Sequence, residues 1–398
     1  MSRALFSVWS GDPVVLIDAP PGAGKTSLLV DLLVELVTRT DLQIIVATPT
    51  RNGAYDVAGR LATELKAATV GAKKQPKVVF RVRGANPPAG AFTTARPSED
   101  RYVTVRTIAS CAAAKNPVKC DLMVFDEAYQ ATFADVSAAA DNAAQVVMIG
   151  DPGQIGPVVT VKTTMWDQMR AAPHRRAPEV FAGFEDKTLL RLGSSYRLGQ
   201  ETVDAIAPLY DFPFDSKRPD RHLTRRDGTV VPELDHVLVD EAAQTADLPM
   251  LRVVATQAAA FVGTSLHQTE PDGTVTVERL RERDVAVVVP HNVQQATVAA
   301  LLGSMGMDGI TVGTADSLQG GQWHAVVALD PLVGHTSLSE HQLAEGRLCV
   351  MASRHMSSLV WVTVPDWERR LTAYTEESPT RVANGIAVRR GLTATGGR

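Results

Sequence analysis

Ala19-Pro-Pro-Gly-Ala-Gly-Lys25-Thr26 combines glycines, a lysine and a hydroxyl at the spacing that grips phosphate. In such a loop, backbone N–H groups converge on phosphate oxygens at a helix N-terminus, and the lysine ammonium adds a point charge. On this reading Pro21, Gly22, Ala23, Gly24, Lys25, Thr26 and Ser27 surround the triphosphate of a nucleotide. Lys25 reaches the β- and γ-phosphates and Thr26 ligates Mg²⁺. The usual pattern opens with Gly where Ala19 stands, and alanine is small enough for that turn.

A second chemical pair follows the apolar run Leu122-Met-Val-Phe: Asp126-Glu127. Two carboxylates at a strand end can divide the work of hydrolysis. Asp126 holds the metal through water, and Glu127 orients and deprotonates the attacking water. Gln154 closes the turn Gly150-Asp-Pro-Gly-Gln154, where an amide could sense the γ-phosphate. By itself that segment is an ordinary Asp-Pro-Gly turn.

The flanks supply the elements such groups require. Val14 to Ile17 is a short β-branched run, and Ser27 to Thr38 repeats its apolar residues with helical spacing. Similar runs at Gln43 to Ala47, Val103 to Val105, Leu122 to Phe125 and Val146 to Ile149 alternate with helical patterns. That alternation predicts a parallel sheet covered by helices, with ligands at the carboxyl ends of its strands.

The rhythm restarts after the Pro- and Arg-rich stretch 173–178, with strands expected near Leu189 to Leu192, Ala286 to Val289, Ile310 to Thr314, Ala325 to Leu329 and Leu359 to Thr363. A first lobe over 1–183 and a second over 184–375 are expected, followed by a flexible tail over 376–398. Residues 211–283 read as a long connection with some strand and helix content. The absence of a large insertion in the second lobe, and of an obvious wedge, is a further expectation.

Composition narrows the classes. The chain has 398 residues, a net charge of −4 and three cysteines, too few for a disulfide framework or a zinc cage. No leader with a cleavage site and no uncharged run near ~20 residues is visible, so a cytoplasmic protein without a membrane span is expected.

Taken in order, these motifs resemble those of the superfamily 1 helicases. APPGAGKT, VATPTRNGA, VTVRTIAS, DEAYQ and GDPGQIGP are similar to the first-lobe motifs, and LGSSYRL, VAVVVPHNVQQ, ITVGTADSLQGGQWHAVV and LCVMASRH to those of the second. The SYR and TADSLQG elements look most like the Upf-type (B) branch, which implies 5′-to-3′ movement. The resemblance implies an α/β fold of two tandem RecA-like P-loop lobes that clamp ATP and Mg²⁺ between them. It further implies that Arg197 and Arg354 act as arginine fingers, that Tyr196 stacks on the base, and that Gly320 and Gln322 lie at the nucleotide. Thr50, Asn52, Thr107, Thr314 and Ser317 match positions that hold a nucleic-acid backbone, although helix capping is an equally simple role for hydroxyls there.

Departures are visible. The last motif reads Ser353-Arg354-His355-Met356 in place of Thr-Arg-Ala and a basic residue, Gln322 and His324 replace an expected Glu and Asp, and the upstream adenine-reading glutamine has no counterpart.

From Lys66 to Arg106, nine basic residues face two acidic ones in an otherwise acidic chain. This segment is expected to be a small accessory insertion whose basic face binds phosphates. Trp166 and Trp323 could stack on bases, with packing as the plainer role.

The combined expectation is a monomeric ATP-dependent helicase or translocase on single-stranded nucleic acid, with DNA favoured over RNA. Two alternatives stand beside it: a nucleic-acid-stimulated ATPase that remodels complexes without unwinding, and a sensor that ATP merely switches. A small-molecule phosphotransferase would leave Arg197 and Arg354 unexplained, and Ser194 and Ser195 lack the partners of a hydrolase triad.

Overall fold

A computed structural model describes residues 1–72, 74–94, 101–114, 119–240, 244–270, 272–335 and 337–394. Its contacts divide the chain into two units. The first comprises Met1–Pro20, Gly24–Pro152 and Gly156–Leu192, and the second Pro21–Ala23, Gly153–Ile155 and Gly193–Arg398.

The first unit runs α1 (Ser2–Ser10), β1 (Val14–Asp18), α2 (Lys25–Arg39), β2 (Ile44–Thr48), α3 (Arg51–Ala68), β3 (Lys77–Phe80), β4 (Tyr102–Thr107), α4 (Ile108–Ala112), β5 (Cys120–Phe125), α5 (Phe133–Ala140), β6 (Ala143–Gly150), α6 (Ala177–Phe181) and β7 (Thr188–Arg191). Its strands form one seven-stranded sheet in the order β3-β4-β2-β5-β6-β1-β7. All of the pairings are parallel.

Alternation along each strand divides the core. Val15 and Ile17 pack on one face with α1, α2 and α3, while Val14 and Leu16 pack on the other with α4, α5 and α6. In α2 the buried positions Leu29, Leu32, Leu33, Leu36 and Val37 follow the i, i+3, i+4, i+7, i+8 stripe of a helix on a sheet. Each such side chain contributes on the order of 1.5–3 kcal/mol relative to exposure.

The second unit runs β8 (Ser194–Ser195), α7 (Gln200–Ile206), β9 (Asp215–Ser216), β10 (Arg221–Thr224), β11 (Val230–Val231), β12 (Leu234–Leu238), α8 (Leu248–Phe261), β13 (Ser265–Thr269), β14 (Val275–Arg279), β15 (Val285–Val289), α9 (Asn292–Ser304), β16 (Thr311–Thr314), β17 (Trp323–Leu329), α10 (Glu345–Ala352), β18 (His355–Thr363), α11 (Trp367–Thr372) and α12 (Pro379–Thr393). A five-stranded parallel sheet in the order β12-β18-β17-β15-β16 forms its centre. The expected tandem of RecA-like α/β units with parallel sheets is thus present.

Four expectations need correction. Strand β7, assigned from the sequence to the second lobe, pairs with β1 and completes the first sheet, because Leu189 and Leu190 register on Leu16 and Ile17. The segment 66–106 is not a separate accessory module: β3 and β4 extend the main sheet, and Val78, Phe80, Val103 and Val105 join its core. Lys73, Arg96, Glu99 and Asp100 of its charge count lie outside the described residues.

Residues 211–283 hold an inserted antiparallel sheet, ordered β11-β10-β13-β14, where no substantial insertion was expected. Finally, the described part of the expected tail, residues 376–394, is not loose. Within it α12 buries Val382, Val388 and Leu392, and Arg389 makes two 2.8 Å bonds to the buried carboxylate of Asp330.

Among the described residues no helix is long and apolar enough to cross a membrane. Cys111, Cys120 and Cys349 are buried and outside any disulfide among the described residues.

Candidate active site

All strands of the first sheet run the same way, so their carboxyl ends share one edge. Along it stand Asp18 before the phosphate loop, Asp126 after β5 and Asp151 after β6, with Thr50 beyond β2 and Thr107 at the end of β4. Strand order therefore places the candidate triphosphate groups at β5, β6 and β1, and the candidate nucleic-acid positions at the adjoining β2 and β4.

Gly22 and Gly24 adopt φ of +75° and +78°, in the left-handed region that side chains disfavour, which explains why this loop needs glycine. Gly24 caps α2, so Lys25, Thr26 and Ser27 form the helix's first turn, where free backbone N–H groups and the helix dipole favour an anion. Lys25 Nζ lies 3.3 Å from Glu127 Oε2. Burial alone would lower the Lys25 ammonium, but the charges of Glu127, Asp151 and Asp126 outweigh it and hold the pKa above its ordinary value.

Asp126 is 5% exposed and accepts a 3.0 Å bond from the Glu127 backbone N–H. Burial, reinforced by the charge of Glu127, pushes its pKa up to about 7. One ammonium thus faces three carboxylates, those of Asp126, Glu127 and Asp151. A divalent cation suits that excess, and the Thr26 hydroxyl with the Asp126 carboxylate offers the hard oxygen donors that Mg²⁺ prefers. No group of three or more His, Cys, Asp or Glu residues that could hold a metal is found among the described residues.

Asp151, fully buried, is a site residue the sequence reading passed over. Its signal was an acid directly after a strand, in the same relation to β6 as Asp126 to β5.

The remaining expected residues are distributed as follows. Gln154 is buried, and its Oε1 accepts a 3.1 Å bond from Gln319 Nε2. Arg354 is 1% exposed, with its guanidinium donating to Val350 O, Gly321 O and Ser353 Oγ at 3.1, 3.4 and 3.2 Å. Arg197 is half-buried, Tyr196 is exposed, and Gly320 takes φ +87° in the exposed turn that leads to exposed Gln322.

Thr50 and Thr107 cap α3 and α4 by accepting from Gly53 N and Ser110 N, at 3.0 and 3.3 Å. Thr314 and Ser317 bond each other reciprocally at the end of β16, and Asn52 is exposed in the first turn of α3. The capping role is therefore real for Thr50 and Thr107, whereas Thr314 closes a turn with Ser317, to whose Oγ its hydroxyl donates at 3.3 Å.

Of the basic stretch, Arg101 is bonded to Asp41, Arg106 to Ser110 and Lys77 lies over Phe92. Trp166 packs near His174, and Trp323 against the second unit's core.

Residues 3–179 match the family model described as AAA domain. No curated protein matches the chain. Among solved structures it is similar to the PRRSV helicase, at 19% identity over 91% of this chain and 55% of that one, with a TM-score of 0.47. It is also similar to arterivirus nonstructural protein 10 (helicase), solved with DNA, at 16% identity over 90% and 63% with a TM-score of 0.47. A third is the Escherichia coli DEAH/RHA helicase HrpB, at 13% identity over 93% and 43% with a TM-score of 0.45. The chain spans less than two thirds of the length of each of these. Residues 3–179, which carry the phosphate loop before α2 and the acidic pair after β5, are thus similar to an AAA domain, with the loop and acids of a P-loop NTPase.

Proposed function

We propose that the chain is a superfamily 1 helicase or translocase that couples hydrolysis of Mg-ATP to movement along single-stranded nucleic acid, DNA in preference to RNA and 5′ to 3′. The observation that carries the hydrolytic part is the cluster of Lys25, Asp126 and Glu127 beyond the ends of β1 and β5, on either side of β6, with Glu127 in hydrogen-bond reach of the loop lysine. The order of the nine motifs supports the track.

In this reading Mg-ATP supplies the transferable phosphoryl group and the cation. Lys25 leaves Glu127 to bind phosphate oxygens, which frees the Glu127 carboxylate to take a proton from water. Thr26 and Asp126 hold the cation, and Arg197 and Arg354 are assigned to offset charge on the transferring phosphoryl. Gln154 reports the phosphate's presence. Thr50, Asn52, Thr107, Thr314 and Ser317 grip the strand's backbone without reading its sequence.

The test is strand separation on duplexes with a 5′ or a 3′ single-stranded overhang, in DNA and in RNA, run beside streptavidin displacement from the same strands. Unwinding from the 5′ DNA overhang supports the full reading. Displacement without unwinding reduces it to a translocase, and activity from the 3′ overhang alone overturns the polarity.

A further inference from the structure

Tyr129 lies two residues beyond Glu127, in the short 3₁₀ turn Ala128–Gln130, and is 7% exposed. Its hydroxyl donates to Asp18 Oδ1 at 2.7 Å. Asp18 ends β1 directly before the phosphate loop, and its other oxygen is 4.0 Å from Arg191 at the end of β7. The acceptor is thus a buried carboxylate with a cation beside it.

The ring is as tightly placed as the hydroxyl. Asp18 and Gly150 are register partners in β1 and β6, and a Cβ on Gly150 would fall 2.8 Å from Tyr129 Cδ2. Tyr129 therefore lies across the ends of the two strands that precede the phosphate loop and Asp151.

Glu127 is the one non-glycine residue with positive φ among those described, at +51°. A carboxylate residue holds that conformation only where its surroundings enforce it. The enforcing contacts come from the turn that follows: Gln130 N bonds Glu127 O at 2.9 Å, Ala128 is fully buried, and Tyr129 is anchored at both ring and hydroxyl.

We propose that Tyr129 is a positioning residue: through its bond to Asp18 it fastens the turn carrying Glu127 to the root of the phosphate loop and so sets the Glu127 carboxylate at Lys25. This rests on the ATPase reading above. Burial, with the charge of Asp18, also pushes the Tyr129 phenol up, so it stays a donor across the working pH range.

The test compares Tyr129→Phe, Asp18→Asn and Asp18→Leu in the full chain by steady-state ATPase, with amide exchange of residues 127–131 measured without nucleotide. Tyr129→Phe should lower kcat about tenfold with KM for ATP within about twofold, since the loss is confined to the transition state. Asp18→Asn keeps an acceptor and should lose less kcat than Asp18→Leu, Asp18→Leu should match Tyr129→Phe, and the double variant Tyr129→Phe/Asp18→Leu should be no worse than either alone. Exchange at 127–131 should speed up in Tyr129→Phe and Asp18→Leu only. Wild-type kcat and exchange in Tyr129→Phe, or additive losses in the double variant, would overturn the proposal. A wild-type chain with no ATPase activity, but with the exchange pattern intact, would overturn the ATPase reading and leave the linkage purely structural.

Discussion

Lys25 Nζ and Glu127 Oε2 are 3.3 Å apart, so the phosphate-loop lysine and the proposed general base are each other's partner. The pairing sets a largely buried lysine side chain, 10% exposed, against a carboxylate that is 29% exposed.

The two groups should separate by function when changed singly. Glu127→Gln should retain nucleotide binding and lose about 10²–10⁴-fold in kcat, the range for removing a general base. Lys25→Ala should lose binding itself. Titration with a fluorescent ATP analogue beside turnover measurements checks both, and weakened binding in Glu127→Gln with normal kcat would contradict the assignment.

Arg389 and Asp330 form a buried ion pair in the second unit, and Asp330 also accepts from Trp361 Nε1 and Thr363 Oγ1 at 3.2 and 2.9 Å. Arg389→Met strands that carboxylate and should cost about 3–5 kcal/mol in chemical denaturation. Removal of residues 376–398 should destabilise the second unit likewise. A truncated chain as stable as the whole would contradict the packing of α12.

Acid should weaken the second unit. His291 and His335 approach to 2.9 Å between Nε2 atoms, and the rings of His291 and His341 stack at 4.9 Å. Burial, then the charges of His341, His335 and Arg347, lowers His291 from 6.5 to about 4, and burial lowers His335 and His341 too, with Asp316 partly opposing this at His341. A histidine held neutral in the fold takes its proton more readily when unfolded. Stability from these groups is thus whole above pH 6.5 and is lost as pH falls towards 4. Urea midpoints from pH 7 to 4 should decline over that window, and His335→Asn should flatten the decline. An unchanged slope in that variant would contradict the coupling.

Arg354 is enclosed by its own unit's carbonyls, so its loss should be felt by the fold as well as by turnover. Arg354→Ala should lower stability by about 1.5–3 kcal/mol, the range for hydrogen bonds to a charged group, and Arg354→Lys should recover only part of it. Calorimetric melting of the three proteins checks this, and an unshifted melt would show the guanidinium to be free.

Local motifs were legible because their chemistry dictates residue type at fixed spacing: the glycines of the loop, the acids after LMVF and the threonines that end strands. The stripe of α2 was equally plain. What escaped the sequence depended on partners far along the chain. Leu189 and Leu190 read the same whichever sheet they enter, and only pairing with β1 decides it. The apolar positions of α12 are spaced too sparsely to announce a helix, and its anchor, Asp330, lies 59 residues away. Asp18 and Tyr129 are 111 residues apart and meet because β6 alone separates β1 from β5, after which Tyr129 lies.

The most direct test of the central claim is the ATPase rate with and without single-stranded DNA, with Glu127→Gln as the control. Mg-dependent hydrolysis stimulated about tenfold or more by the strand, and abolished in Glu127→Gln, is the predicted result. Hydrolysis indifferent to both DNA and RNA, or surviving in Glu127→Gln, would contradict it.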